Sequence, residues 1–247
     1  MKKEIEKTSS KSMDFPHGST KPLLGDVYNQ ILHLFVGNNE TRPALMSPFI
    51  QEDFAIATDA HAIICFKKEL LRGSKVKPNE KAPNALAVIP AEENMSMEFD
   101  TIEMRKQILT SRKIAKETYE VKKGKCPDCF GYRYVQYEFS DYKGRSHEIE
   151  DTCPTCENED EWITYKNRKT GNEIESFREL IEIENALIDV NLFEKLVKTA
   201  ELLSVDKIKL VYRKNELSVH KFYVGKCTIC IMPVYQEGEN DLVQKIS

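Results

Sequence analysis

The apolar residues of this chain fall into short blocks whose spacing changes from helical to alternating and back. "PLLGDVYNQILHLFVG" places Leu24, Val27, Tyr28, Ile31, Leu34 and Phe35 on one stripe and stops at Gly37, which predicts an amphipathic helix. "RPALMSPFIQ" and "FAIATDAHAIICFKKELL" read as strands with "QED" as the turn between them, a small antiparallel meander. From Gly73 to Pro83 the composition turns to Lys, Pro, Asn and Gly, which reads as a loop before a short strand, "ALAVIP". "DTIEMRKQILTSRKIAKETYE" then predicts a long charged helix.

Residues 121–175 have a different character: paired cysteines, an aromatic strand-like run ("YRYVQYEF"), turns at "DYKGR" and "KTGNE", and many acidic side chains. They read as a separate module. After them the earlier style returns, with "ALIDV" as a strand and "NLFEKLVKTAELL" as a helix capped by Asn191. Three strands follow, turning at "RKNE" and near "YVGK". Helix plus antiparallel strands therefore occurs on both sides of the module. The organisation expected is a polar tail (1–14), the first part of a domain with its long charged helix (15–120), an insertion (121–175) and the second part of the domain (176–247). The fold class is α+β, one pseudo-symmetric domain interrupted by a small insertion.

Composition narrows this only a little. With 40% hydrophobic and 31% charged residues in 247, the chain reads as a globular protein. No apolar run approaches the roughly 18 residues of a membrane span, so no membrane partner is expected. "MKKEIEKTSSKSMDF" has lysines without an apolar run behind them, which is not a secretory signal and points to the cytoplasm. A net charge of −4 excludes a uniformly basic coat but leaves room for a local basic patch. Six of the seven cysteines stand in three CxxC pairs, a usage that favours metal over disulfides in a chain without an export signal.

"CPDC" (Cys126, Cys129) and "CPTC" (Cys153, Cys156) each put two thiols on a tight turn, the arrangement from which half of a tetrahedral four-cysteine site is made. The intervening run can fold as a hairpin. The expected cofactor is one structural Zn2+, with a redox CxxC or fortuitous thiols as the alternatives. Four thiolates leave no open coordination position, so this metal is not expected to catalyse. His147 falls inside the hairpin, as a surface residue or as a substitute ligand. "CPDCFGYR" also resembles a half-repeat of J-domain chaperones, but "CPTCENED" lacks the glycines. Cys227 and Cys230 lie in a predicted strand, where positions three apart point to opposite faces, and Cys65 is likewise a strand cysteine. They are expected as core or half-buried thiols rather than as metal ligands.

Thr58, Asp59 and His61 interrupt an otherwise apolar run. A strand, a tight corner and a second strand would let Asp59 cap local amides and leave His61 at the surface. There is no triad, phosphate-binding glycine loop or paired-carboxylate motif, and the chain is not expected to be an enzyme.

"RPALMSPFIQEDFAIATDAHAIICF" resembles the segment of the bacterial beta-type DNA sliding clamp, the polymerase processivity ring, that carries ATDGHRL. The stretch from "ALIDV" to "IMPV" is similar to a clamp half-domain, and "IMPV" looks like the family's MPM-type ending. The likeness covers roughly residues 20–70 and 180–236. It implies a clamp-like fold, interrupted here by the zinc-ribbon insertion, which is unlike any ordinary clamp, and an apolar pocket for short partner peptides lined by Thr58, Ala60, His61, Ala62 and Ile63, with Met232, Pro233 and Val234 from the tail motif. Ala60 stands where the family has glycine, and Ala62 where it has arginine. The partners implied are duplex DNA and polymerase or other replication and repair proteins, with assembly of copies, since a ring needs six such domains and one is read here.

The best basic stretch is "MRKQILTSRKIAKETYEVKKGK": Arg105, Arg112 and Lys116 on one helix face, with Lys113, and then Lys122, Lys123 and Lys125 running into the ribbon. It is a solvated helix face or a nucleic-acid contact. The function expected is a non-catalytic, clamp-like replication or repair accessory protein. The alternative is an interaction adaptor that keeps the fold without forming a ring.

Overall fold

The structure, a computed structural model, describes residues 24–39, 41–71, 76–79, 81–90, 95–156, 162–184, 186–212, 219–235 and 237–246. The polar tail and the "RKNE" turn lie outside the described residues. In chain order come α1 (Leu24–Leu34), β1 (Phe49–Gln51), β2 (Phe54–Thr58), β3 (Ala62–Lys67), β4 (Met95–Asp100) and α2 (Thr101–Thr118). The insertion follows as β5 (Tyr119–Gly124), β6 (Tyr134–Ser140), β7 (Ser146–Thr152), β8 (Trp162–Asn167) and β9 (Glu173–Ile174). Then come β10 (Glu179–Ile183), β11 (Ala186–Asp189), α3 (Val190–Leu202), β12 (Lys207–Tyr212), β13 (His220–Val224), β14 (Cys227–Ile231) and β15 (Leu242–Lys245).

Antiparallel pairing joins the main strands in the order β1-β2-β3-β14-β13-β12-β4. The two helix-plus-three-strand units, α1 with β1 to β3 and α3 with β12 to β14, thus meet at the central β3–β14 pair. Alternation along each strand sends one set of side chains to each face. The inner face (Ala55, Ala57, Ile64, Phe222, Ile229) packs against Ile31 of α1, Phe35 just after it, and Phe193, Leu196 and Val197 of α3 in the main core. On the outer face Phe49, Ile56 and Cys65 are covered by Ala85, Leu86 and Ile89. Each large side chain fully buried in this way contributes about 1.5–3 kcal/mol against solvent exposure.

Helix caps fix where the chain turns inward. Asp100 accepts from the N–H groups of Ile102 and Glu103 at 2.9 and 3.1 Å and starts α2. Asp189, not the expected Asn191, caps α3 by accepting from Asn191 N at 2.7 Å. Asn191 lies already inside the helix, and the upstream carboxylate also suits the positive N-terminal end of the dipole.

Two expected strands are shorter or absent. In "RPALMSPFIQ" only Phe49–Gln51 is strand, because Pro43 opens a 3-10 turn over Pro43–Leu45. "ALAVIP" is a 3-10 turn over Ala85–Val88, between Pro83 and Pro90; it buries Ala85 and partly buries Leu86 and Ile89 by lying on the sheet rather than joining it, while Val88 stays exposed. No described helix is long and apolar enough to cross a membrane.

Candidate binding pocket and candidate metal centre

The TDAH corner is a turn between β2 and β3, and its polar groups are used locally. Asp59 Oδ1 accepts from the backbone N–H groups of His61 and Ala62 at 2.9 and 2.7 Å. Its Oδ2 accepts from Lys195 Nζ of α3 at 2.5 Å, an ion pair that ties the corner to the second unit. Thr58 Oγ1 accepts from Ala60 N at 3.1 Å. Ala60 adopts a φ of 78°, a left-handed conformation that suits glycine. His61 is left exposed at the surface.

Across the sheet, Met232 N donates to His61 O at 2.9 Å, so the chain leaving β14 lies against the corner. Together they wall a cavity of about 350 Å3 lined by Thr58, Ala60, His61, Ile63, Cys230 and Met232, closed by Arg42, Leu45, Pro83, Ala85, Val88 and Val219. Five of the eight pocket residues expected from sequence meet here. Ala62 does not; it is buried in the main core, as the register of β3 requires. Pro233 and Val234 also lie away from the lining, and Val234 donates instead to Leu187 O at 2.6 Å. The wall formed by Pro83, Ala85 and Val88 is not anticipated from the sequence, where Pro83 ends a loop and "ALAVIP" reads as a strand. Cys230 could have been found from its place opposite Ile63 in a β3–β14 pairing.

The basic strip divides on inspection. Arg105 reaches Glu201 at 2.5 Å and Glu194 at 3.3 Å, and Arg112 reaches Glu179 at 2.7 Å and Glu194 at 3.2 Å. Both guanidinium pKa values are raised: for Arg105 the hydrogen bonds it donates to Glu201 lead, and for Arg112 burial pulls downward but is outweighed by the contacts with Glu179 and Glu194. These two arginines form an ion ladder from α2 to α3 and to the start of β10. The matching seven-residue spacings of Arg105 and Arg112 and of Glu194 and Glu201 were the sequence signal for it. Lys113, Lys116, Lys122, Lys123 and Lys125 lie outside the ladder on the solvent side; Lys113 and Lys122 make exposed pairs with Glu117 and Glu120.

In the insertion, β6 and β7 form the expected hairpin, and its base carries both cysteine turns. The four Sγ atoms lie within 4.8 Å of one another, all buried, with Cys126 to Cys153 at 3.8 Å and Cys129 to Cys156 at 3.6 Å. Those separations are far too long for disulfides. They match the roughly 3.8 Å between corners of a tetrahedron with zinc–sulfur bonds of about 2.3 Å, so the residues fit a zinc ion. For Cys129, burial opposes ionisation, but the N–H groups of Arg133 and Gly131 and the neighbouring Cys156 and Cys126 bring its pKa down to about 7. Among the described residues, the hydrophobic side chains that pack on the cluster are Val135 and Trp162. His147 is not a ligand candidate; it stacks on Phe139 and approaches Asp141 at 3.2 Å.

The third CxxC behaves as the strand predicts. Cys227 faces the main core while Cys230 faces the pocket. Burial pushes the Cys227 thiol up to about 12 and the Cys65 thiol up to about 11, so both stay protonated.

No protein-family model matches the chain, and no curated protein matches it. Among solved structures it is similar to DNA polymerase III subunit beta from Borrelia burgdorferi, with 14% identity and a TM-score of 0.48 over 85% of this chain and 62% of that one. It is similar to the DNA polymerase III beta chain of Streptococcus pneumoniae at 13% identity and a TM-score of 0.47, covering 95% of this chain and 67% of that one. For the beta subunit of Thermotoga maritima the values are 9% and 0.45, over 87% and 65%. The chain thus spans 62% of the length of the Borrelia burgdorferi subunit.

Proposed function

We propose that this chain is a clamp-related accessory protein of DNA replication or repair that works without catalysis, by holding short apolar peptides of partner proteins in the pocket beside the TDAH corner. One observation carries the reading. Thr58, Ala60 and His61 lie far in sequence from Met232, yet they line one apolar cavity of about 350 Å3 and are joined by the Met232–His61 hydrogen bond. A cavity of that size with a few polar groups at its mouth is of the kind that binds small ligands and peptide side chains. One Zn2+ held by Cys126, Cys129, Cys153 and Cys156 serves as the staple of the insertion. Duplex DNA is assigned to Lys113, Lys116, Lys122, Lys123 and Lys125, the cations outside the ladder, in an assembly of several copies or with other chains.

The test is selection from a displayed library of random hexapeptides, followed by affinities measured for the double variant His61→Ala with Met232→Ala. At least a tenfold loss is expected, about 1.4 kcal/mol. Unchanged affinity removes the pocket from the account.

A second reading, an adaptor that keeps the pocket but grips no DNA, is favoured by the commitment of Arg105 and Arg112 to glutamates. Duplex binding that weakens steeply with salt and is lost on reversing Lys113 and Lys116 would exclude it.

A further inference from the structure

Where the first cysteine turn meets the β6–β7 hairpin, the surface opens into a groove of about 610 Å3. Three of its lining residues are aromatic: Phe130, Tyr132 and Tyr134, which are 66%, 79% and 49% exposed. The turn folds back on its own cysteines, with Phe130 N donating to Cys126 O at 2.8 Å and Tyr132 N to Cys129 O at 2.9 Å. Both rings are thereby left in solvent. Asp128, Gln136 and Glu150 complete the polar part of the lining, and no lysine or arginine among the described residues contributes to it.

The same face of the hairpin continues outward as an acidic strip. Alternation puts Tyr134, Gln136 and Glu138 of β6 on one side of the ladder, together with Glu148 and Glu150 of β7. Gln136 lies opposite Glu150, and Glu138 lies directly opposite Glu148. Like charges so placed destabilise a strand pair. Among the described residues none of Glu138, Glu148 and Glu150 has an ion-pair partner, because Arg145 and His147 at the start of β7 go to Asp141.

These features select the occupant by charge. The face of an aromatic ring attracts a cation, most often a guanidinium, and carboxylates hold the same group through paired hydrogen bonds. A phosphate is repelled by the strip. Spacing narrows the choice further. Successive residues on one face of a strand are about 7 Å apart, which is the step from the Gln136–Glu150 pair to the Glu138–Glu148 pair, and alternate side chains of an extended peptide repeat at the same distance.

We propose that this groove and strip bind an extended segment of a partner protein that carries arginines at alternate positions. One guanidinium lies among Phe130, Tyr132 and Tyr134 beside Glu150; the next sits between Glu138 and Glu148 and relieves their repulsion. The contact does not rest on the pocket beside the TDAH corner. It gives the insertion a recognition role of its own.

The experiment measures the fluorescence anisotropy of labelled Gly-Gly-Arg-Gly-Arg-Gly-Gly on the full-length, metal-loaded protein, beside the same peptide with citrulline in place of each arginine. The arginine peptide is expected to bind at least tenfold more tightly than the neutral one, and more weakly as salt rises. Phe130→Ser with Tyr132→Ser, which leaves the net charge unchanged, is expected to weaken binding at least tenfold. The same loss is expected for Glu148→Gln with Glu150→Gln, with zinc content and circular dichroism kept in both. Tyr142→Ser, a 90% exposed tyrosine between β6 and β7, should change nothing. Absence of binding, equal binding of the citrulline peptide, or equal loss in Tyr142→Ser would overturn the proposal. So would an affinity that follows the glutamates and ignores Phe130 and Tyr132, which is general attraction to an acidic surface. Binding of a single-stranded oligonucleotide that is lost in the Phe130 and Tyr132 variant would make nucleic acid the occupant instead.

Discussion

The insertion and the central sheet spell the same motif, CxxC, and make opposite use of it. At the base of the hairpin the motif lies on tight turns, so Cys126, Cys129, Cys153 and Cys156 converge to within 4.8 Å. In β14 it lies on an extended strand, so Cys227 enters the main core while Cys230 faces the pocket. The local backbone decides the chemistry: one set contains a thiol brought down to about 7, the other a thiol pushed up to about 12. The difference extends to what holds each region together. The body closes around Phe35, Phe193 and Phe222, whereas among the described residues the ribbon's buried cluster consists of the four cysteines, with Val135 and Trp162 packed on it.

The largest expected effect breaks the ribbon and spares the body. Cys153→Ser, or metal removal by a chelator, should expose the amides of β6 and β7 to rapid hydrogen exchange while the protection of β3 and β14 persists. A structural zinc supplies most of the folding free energy of so small a module. Equal loss of protection in both regions would mean that they fold as one unit.

A smaller effect belongs to the junction between the regions. Asp241 accepts from Arg178 at 2.6 Å and from Gly238 N at 2.7 Å, where β15 joins β10 in parallel. Burial alone would raise its pKa, but the hydrogen bonds from Arg178 and Gly238 and the Arg178 charge hold it below the usual carboxylate value. A depressed carboxylate contributes stability that is complete above its unfolded pKa of about 3.9 and is lost as pH falls through the folded value. Asp241→Asn should therefore cost about 1–3 kcal/mol near neutrality and flatten the acid limb of a stability profile, read by urea titration at several pH values.

The smallest effect has the opposite sign. Ala60 holds a φ of 78°, so Ala60→Gly should stabilise the corner by about 1 kcal/mol, as a rise in the urea midpoint without a change in slope.

Much of this was legible in the sequence, for physical reasons that also explain the gaps. The helices α1, α2 and α3 and the strands β2, β3 and β12 to β14 carry clean 3.6- or 2-residue periods, because each has one face on the core. The cysteine turns and the hairpin between them were legible from spacing. The edge strand β4 and the parallel β10–β15 pair were not, since their partners are distant in sequence and their own patterns are short. The 3-10 turn at Ala85–Val88 looked like a strand because it is apolar throughout, but Ala85 and Leu86 pack on a face of the sheet rather than pairing at an edge, and Val88 stays exposed. The roles of Arg105 and Arg112 were settled only when α3 brought Glu194 and Glu201 beside them.

The most direct test is native mass spectrometry of the wild type, Cys153→Ser, and the double variant Cys227→Ser with Cys230→Ser. The account predicts one zinc per chain in the wild type, none in Cys153→Ser, and one in the double variant. Zinc lost from the double variant, or retained in Cys153→Ser, would contradict the division between the two kinds of CxxC.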